Sequence, residues 1–425
     1  NTAAWNVTLE PGNSYYYVRV DEADKDIAVT APVWTGSVTP VGISNVEVSQ
    51  NPQVLNTPTD ITVTVYNNGT TPLSKVKVEF FKGSIEAENK IGEQTIESVA
   101  AGNSNIAKIS WTPETAGDIK IYAQVVINID GQDKAFTGST SILVAKAEDL
   151  VKVVIDGGHV NQYVTGDYQG KMLTLASMLK DKNIMLVQNN DELTAGDLQN
   201  AKLLIITDPQ SKDDAKYNLF KSNFTDAEVK VIQDFVNAGG SLIITSRADY
   251  NDIGVTDSSY QSAAQGNRIL KAIGSNLRFN DDEVIDKTSN GGQEFRLYFD
   301  DYTSSKSHLT DNIPAGQTYS AYSGCSVILK SDGSDENVDW LVKGHDTTEV
   351  FDSDGQKDAT PVEKGNVYSL AAEVLPNESK IIVAGSTFFS DFETAAEDNA
   401  YSNKLITDNI ITWLTALPPA EVKTI

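Results

Sequence analysis

Apolar residues follow one rhythm up to about residue 147 and another beyond it. Over 42–147 they alternate with polar residues in short runs: Ile43–Val48, Ile61–Tyr66, Val76–Phe81, Gln94–Val99, Ser104–Trp111, Ile119–Ile127 and Ala135–Val144. The turn-forming segments NNGTTP (67–72), AGN (101–103) and DGQD (130–133) separate them. In the second run Ile61, Val63 and Val65 fall on one face and Thr62, Thr64 and Tyr66 on the other, the period of a half-buried strand. Seven such strands in about 105 residues predict an immunoglobulin-like sandwich over 41–147. Ahead of it, Ser14–Val20 and Asp26–Thr30 flank the acidic turn DEADKD and predict a hairpin within residues 1–40. One hairpin buries no core of its own, so it packs on a neighbour or is the remnant of an upstream domain.

Across 148–418 the apolar runs become continuous. VKVVI (151–155), IMLV (184–187), LLIIT (203–207), LIIT (242–245), VDWLV (338–342), VYSLAAEV (367–374) and IIVAGS (381–386) read as buried strands. Helices are predicted near Lys171–Lys180 and over Lys404–Ala416, the latter burying Leu405, Ile406, Ile410, Trp413 and Leu414. Between LLIIT and LIIT, Thr225-Asp226-Ala227-Glu228 forms a capping box ahead of the stripe Val229, Ile232, Phe235 and Val236, and Gly239-Gly240 ends that helix. Strands alternating with helices predict a doubly wound α/β unit with a parallel sheet covered on both faces. Residues 419–425 read as a tail.

Composition narrows the function classes. The 425 residues carry 33 basic and 59 acidic side chains, a net charge of −26. That acidity argues against nucleic acid or an anionic membrane as partner and leaves cations as ligands. No apolar run reaches 18 residues, so no membrane insertion is expected. The start NTAAWNVTLEPG is not a signal peptide, and a chain opening in mid-pattern is expected to be part of a larger secreted precursor. One cysteine, three methionines and abundant Thr, Asn and Asp fit an extracellular or cell-surface setting. A single cysteine also excludes an internal disulfide. Sequons stand at Asn6, Asn68, Asn223 and Asn377.

Three resemblances add to this reading. The stretch PGNSYYYVRVDEADKDIAVTAPVWTG resembles the closing strands of secreted PHP-type metallohydrolases, without any of that family's metal-binding residues. The segment from SNVEVSQNP to DIKIYAQV resembles the CARDB (cell-adhesion-related) domain, which implies an extracellular spacer or adhesin. VIDGGHVNQYVTGDY, TYSAYSGC and AGSTFFSDFE, with the capping-box helix and LIIT strand, resemble the class I glutamine-amidotransferase-like superfamily, in its gliding-motility and trehalose-utilisation branch. That resemblance implies a flavodoxin-like sheet and, in true amidotransferases, a cysteine nucleophile after the LIIT strand. Ser246-Arg247 stands there instead, and the late His-x-Glu is missing, so ammonia transfer from glutamine is not expected.

Open α/β sheets bind ligands beyond the carboxyl ends of their strands. That rule selects Asp156, His159 and Asn161 after the first strand, Ser246, Arg247 and Asp249 after LIIT, His345 after WLVKG, and Ser386 and Asp391 after IIVAGS. His159 reads either as a site residue beside the glycine pair or as a turn residue bonding a neighbouring carbonyl. In STFFSDFE, Ser390 could cap a helix whose dipole Asp391 and Glu393 favour. Asp156, His159 and Ser246 would form a hydrolase triad, but the GxSxG elbow is missing. Cys325, opening an apolar run, reads as a buried thiol. No zinc pattern occurs. Asp352, Asp354 and Asp358, and the turn Asp332–Glu336, are oxygen-rich and make calcium the one candidate cofactor, although neither completes an EF-hand loop.

The sequence therefore predicts a non-catalytic binding or structural module of a larger cell-surface protein, its partner a glycan, a peptide or a sister subunit. The alternative is the accessory region of a secreted hydrolase, of PHP or nuclease/phosphoesterase type, with its catalytic domain upstream.

Overall fold

The computed structural model describes residues 15–21, 27–30, 33–34, 41–129, 131–209, 223–253, 255, 258–303, 307–330, 337–394 and 400–415. The acidic turn at 22–26, the Asn6 sequon, the turn at 332–336 and the tail at 419–425 lie outside the described residues. The chain divides into two compact units, Asn1–Ala147 and Glu148–Ile425.

In the first unit, Arg19–Asp21 pairs antiparallel with Ile27–Val29 inside the pairing of Tyr15–Tyr16 with Val33–Trp34. Two sheets follow. One orders its strands Lys90–Val99, Leu73–Lys82, Gly117–Ile129, Gln132–Ala145 and Gln53–Val54. The other joins Ser104–Trp111, Thr59–Asn67 and Val41–Ile43, with Glu47–Val48 also on Thr59–Asn67. Ile61, Val63 and Val65 from one sheet meet Val78, Phe80, Ile121 and Val125 from the other in one core, as the alternation requires. The first expected strand is split. Its middle passes so close to the facing sheet that a side chain at Gly138 would lie 2.0 Å from the Ser44 carbonyl oxygen.

The second unit is built on eight strands: β1 Val151–Asp156, β2 Ile184–Asn189, β3 Ala201–Ile206, β4 Ser241–Thr245, β5 Asp301–Tyr302, β6 Val338–Lys343, β7 Tyr368–Val374 and β8 Lys380–Ala384. Their order in the sheet is β2-β1-β3-β4-β8-β7-β6-β5. The helices are α1 Leu173–Asp181, α2 Asp226–Asn237, α3 Ser262–Ala272, the short α4 Asp391–Thr394 and α5 Asn403–Thr415. Period-2 alternation divides the strands between two cores. Val153, Ile155, Ile205 and Ile243 face α1 and α5, while Val154, Leu204, Ile206 and Ile244 face α2 and α3. Within α5, Leu405 and Trp413 are only half-buried, and Asn403, Thr407 and Ile411 share the covered face.

The expected parallel sheet is in fact mixed. β2, β1, β3, β4 and β8 run parallel, whereas β7, β6 and β5 are antiparallel to their neighbours. β7 returns directly into β8 through the turn at 375–379, and a connection that short can only join antiparallel strands. Three further ladders that the sequence did not suggest lie between α3 and β7: Leu277–Phe279 with Val327–Leu329, Glu283–Ile285 with Glu349–Phe351, and Arg296–Phe299 with Tyr319–Tyr322.

Candidate functional site

Because β1 lies between β2 and β3, the chain reverses direction across the sheet at the β1–β3 gap, where ligand crevices usually open. Here the loop after β1 fills that gap. Asn161 donates to Asp156 Oδ2 at 3.0 Å and to the Thr207 carbonyl at 2.9 Å, and the Gln162 amide donates to the Asp208 carbonyl at 3.1 Å. His159 Nδ1 lies 2.9 Å from Asp156 Oδ2, its Nε2 lies 3.2 Å from Glu228 Oε1, and its ring stacks on Phe224 at 3.6 Å. Burial alone would lower the His159 pKa, but the Asp156 charge and hydrogen bond, with those of Glu228, hold it up at about 9. Burial likewise works against the Glu228 carboxylate. The His159 bond and the amides of Thr225 and Leu193 hold its pKa down at about 2. Asp156, His159 and Asn161 are thus brought together, with both imidazole nitrogens engaged by carboxylates.

A cavity of about 240 Å³ opens beside this loop, lined by Gly158, His159, Asp191, Thr225 and Glu228 among others, and a second, smaller one lies one step further along the sheet, at the ends of β3, β4 and β8. Gln162, Tyr163, Tyr168, Asp208, Ser246, Arg247, Tyr250, Tyr322, Ser323, Ser386 and Thr387 line a cavity of about 40 Å³. Asp208 is its most constrained group. Its Oδ1 accepts from the Thr387 hydroxyl at 3.0 Å, and Thr387 also meets the Thr245 hydroxyl at 2.8 Å. Its Oδ2 is buried and accepts no hydrogen bond from the described residues, with Arg247 Nε 4.0 Å away. Burial pushes the Asp208 pKa up to about 7, against the Arg247 charge and the Thr387 bond. Arg247 Nε is itself oriented by the Ser262 hydroxyl at 3.2 Å, at the start of α3.

Of the residues the strand-end rule selected, Ser246, Arg247 and Ser386 line this cavity; Asp208 and Thr387 complete it. Asp208 directly follows the apolar run of β3, as Ser246 follows that of β4, so the same rule would have found it. The other selected residues lie elsewhere. The Asp391 carboxylate accepts from the amides of Leu173 at 3.1 Å and Thr174 at 2.8 Å, so it caps α1. The Ser390 hydroxyl caps nothing among the described residues; its carbonyl accepts instead from the Glu393 and Thr394 amides. His345 Nε2 lies 3.2 Å from Asp300, with the Phe299 ring edge-on at 5.7 Å.

Asp249 turns toward the acidic loops. It accepts from the Ser353 amide at 2.9 Å and from the Ser353 hydroxyl, and one oxygen each from Asp249, Asp352 and Asp354 lie within 4.8 Å of one another. Asp358 is not in this trio. Burial, followed by the charges of Asp252, Asp358, Asp249 and Asp354, pushes the Asp281 pKa up to about 8. Acidic groups often gather this way with no ion between them, and the trio by itself assigns none.

The one thiol, Cys325, is buried in the core beneath α2 and α3. Burial, then the Asp282 charge, raises its pKa well above the ordinary thiol value, which disfavours a thiolate.

The first unit is an immunoglobulin-like sandwich of a known class. Residues 41–132 match the CARDB family and form a CARDB domain, a cell-adhesion-related module. No curated protein matches the chain. Among solved structures, the CARDB domain of a Pyrococcus furiosus protein is 19% identical, with 25% of this chain and 94% of that one covered at a TM-score of 0.20. A crystal structure of the same Pyrococcus domain in complex with di-metal ions is also 19% identical, with 25% and 87% covered at 0.20. The C-terminal domain of wzt is 11% identical, with 32% and 81% covered at 0.21. Scores this low carry no argument about function. No helix among the described residues is long and apolar enough to cross a membrane.

Proposed function

We propose that this chain is a non-catalytic segment of a larger cell-surface or secreted protein. In this reading the CARDB sandwich is the adhesion-related spacer, and the second unit holds a small polar ligand at its strand ends. The observation that carries it is Asp208 Oδ2, a buried acceptor without a hydrogen bond among the described residues, in a cavity that opens between tyrosines. The β2-β1-β3-β4 order, with Ser246-Arg247 in place of a nucleophile, supports taking the second unit as amidotransferase-like without amidotransferase chemistry. The side chains also argue against turnover. Both His159 nitrogens already face carboxylates, so that ring is in no position to take a proton from Ser246, and Cys325 is buried. Binding is therefore the activity that the lining supports.

The test pairs two measurements on the full chain. A library of small polar compounds is expected to include some that raise the melting temperature of the wild type and not of Asp208→Asn. Panels of ester, amide, glycoside and phosphoester substrates are expected to stay at background. Turnover that copurifies with the protein and vanishes in Ser246→Ala would replace the binding reading with a catalytic one.

A further inference from the structure

The lining of the Asp208 cavity also narrows the ligand, an inference that rests on the cavity being a ligand site. The first constraint is size. About 40 Å³ holds a few water-sized groups, so only one edge of a ligand enters and the remainder lies outside. The second is charge. Asp208 and Arg247 share the floor, so a carboxylate or phosphate would meet the aspartate and an ammonium would meet the guanidinium. The net charge of −26 adds to the case against anions. An uncharged donor suits Asp208 Oδ2, and Gln162, Ser323 and Ser386 offer further neutral polar groups around it.

The third constraint is the rim. Tyr168, Tyr250 and Tyr322 line the cavity while remaining 43%, 40% and 36% exposed. Two of these rings pack on neighbouring side chains. Tyr168 stacks on Tyr163 at 5.6 Å and meets the edge of Phe392 at 5.5 Å. Tyr322 packs against Phe295 at 5.4 Å and under the Arg296 guanidinium at 4.3 Å. Firmly held aromatic surfaces around a hydroxyl-lined floor call for a ligand with an apolar face and a hydroxyl-bearing edge. A sugar ring has both. We infer that the cavity takes one hydroxyl-bearing edge of the terminal residue of an uncharged saccharide, with one hydroxyl donating to Asp208 Oδ2 and the C–H face of the ring lying on the tyrosine rim outside.

The test is ligand-observed NMR and titration calorimetry on the full chain. The probes are neutral hexoses and N-acetylhexosamines, their short oligomers, a sialylated trisaccharide and choline. Neutral sugars are expected to bind with a Kd on the order of 1 mM, as befits a small contact. At pH 8.5, above the Asp208 pKa of about 7, Asp208→Asn, checked for folding by circular dichroism, is expected to weaken them about tenfold through loss of a hydrogen bond to a charged group. Tyr168→Ala is expected to weaken them as well. Equal binding of monosaccharides and oligomers would identify a free sugar as sufficient, and preference for oligomers would identify a glycan end. Neutral-sugar binding that neither substitution changes would place the sugar elsewhere and overturn the inference. Binding of choline or the sialylated sugar alone would overturn it while leaving the cavity a ligand site. Silence from every probe would overturn the saccharide inference and leave the binding reading to the melting-temperature screen.

Discussion

His159 marks the point where site residue and structural residue part company. A buried imidazolium between Asp156 and Glu228 ties the loop after β1 to the first turn of α2. Removing its charge leaves two buried carboxylates without their cation, so His159→Gln is expected to cost about 3–5 kcal/mol in urea denaturation at pH 6. The pH dependence has a definite sign. The folded pKa of about 9 exceeds the unfolded value near 6.5, so this stabilisation is complete below pH 6.5 and is lost as pH rises through 9. Denaturation at pH 6, 7.5 and 9 should show the wild type losing stability across that window and His159→Gln following a flatter course. The histidine was legible in the sequence as a residue at a strand end. Its second partner was not, because Glu228 reads there only as half of a capping box, and only the packing of α2 brings it to the ring.

At the scale of elements, α1 shows how a helix can depend on a distant part of the chain. Its N-cap residue, Met172, has no side-chain acceptor, and Asp391 satisfies the amides of Leu173 and Thr174 from more than 200 residues away in sequence. Asp391→Ala is therefore expected to destabilise the second unit by about 1 kcal/mol, seen as a lower urea midpoint with an unchanged slope. The sequence placed Asp391 at the start of its own short helix. By contrast, the Thr225–Glu228 box was fully legible, because both partners lie within four residues and the Glu228 amide returns to Thr225 at 3.2 Å. Sheet direction was legible only in part. An apolar run such as YSLAAEV suits a buried strand of either sense, and the length and path of the connection decide between them.

The whole molecule carries a net charge of −26, and Asp281 stands among four of its carboxylates. Burial and four neighbouring carboxylates raise its folded pKa to about 8, against about 3.9 unfolded. The stability it supplies in its protonated form is complete below about pH 3.9 and is lost as pH rises through 8. Asp281→Asn is expected to raise the melting temperature above pH 8 and to change it far less at pH 5. Added sodium chloride should narrow the difference by screening the same repulsion. Calorimetry across pH and salt checks both.

β8, which occupies the middle of the eight-stranded sheet, has a consequence for the order of assembly. It pairs with β4 on one side and β7 on the other, yet its residues, Lys380–Ala384, follow those of the other seven strands in sequence. As the polypeptide grows, the β1–β4 half and the β5–β7 half can each gather, but neither can be sealed to the other before residue 384 has emerged. Until then β4 and β7 both present unpaired backbone, so a nascent or prematurely terminated chain carries two sticky edges that β8 covers in the finished sheet.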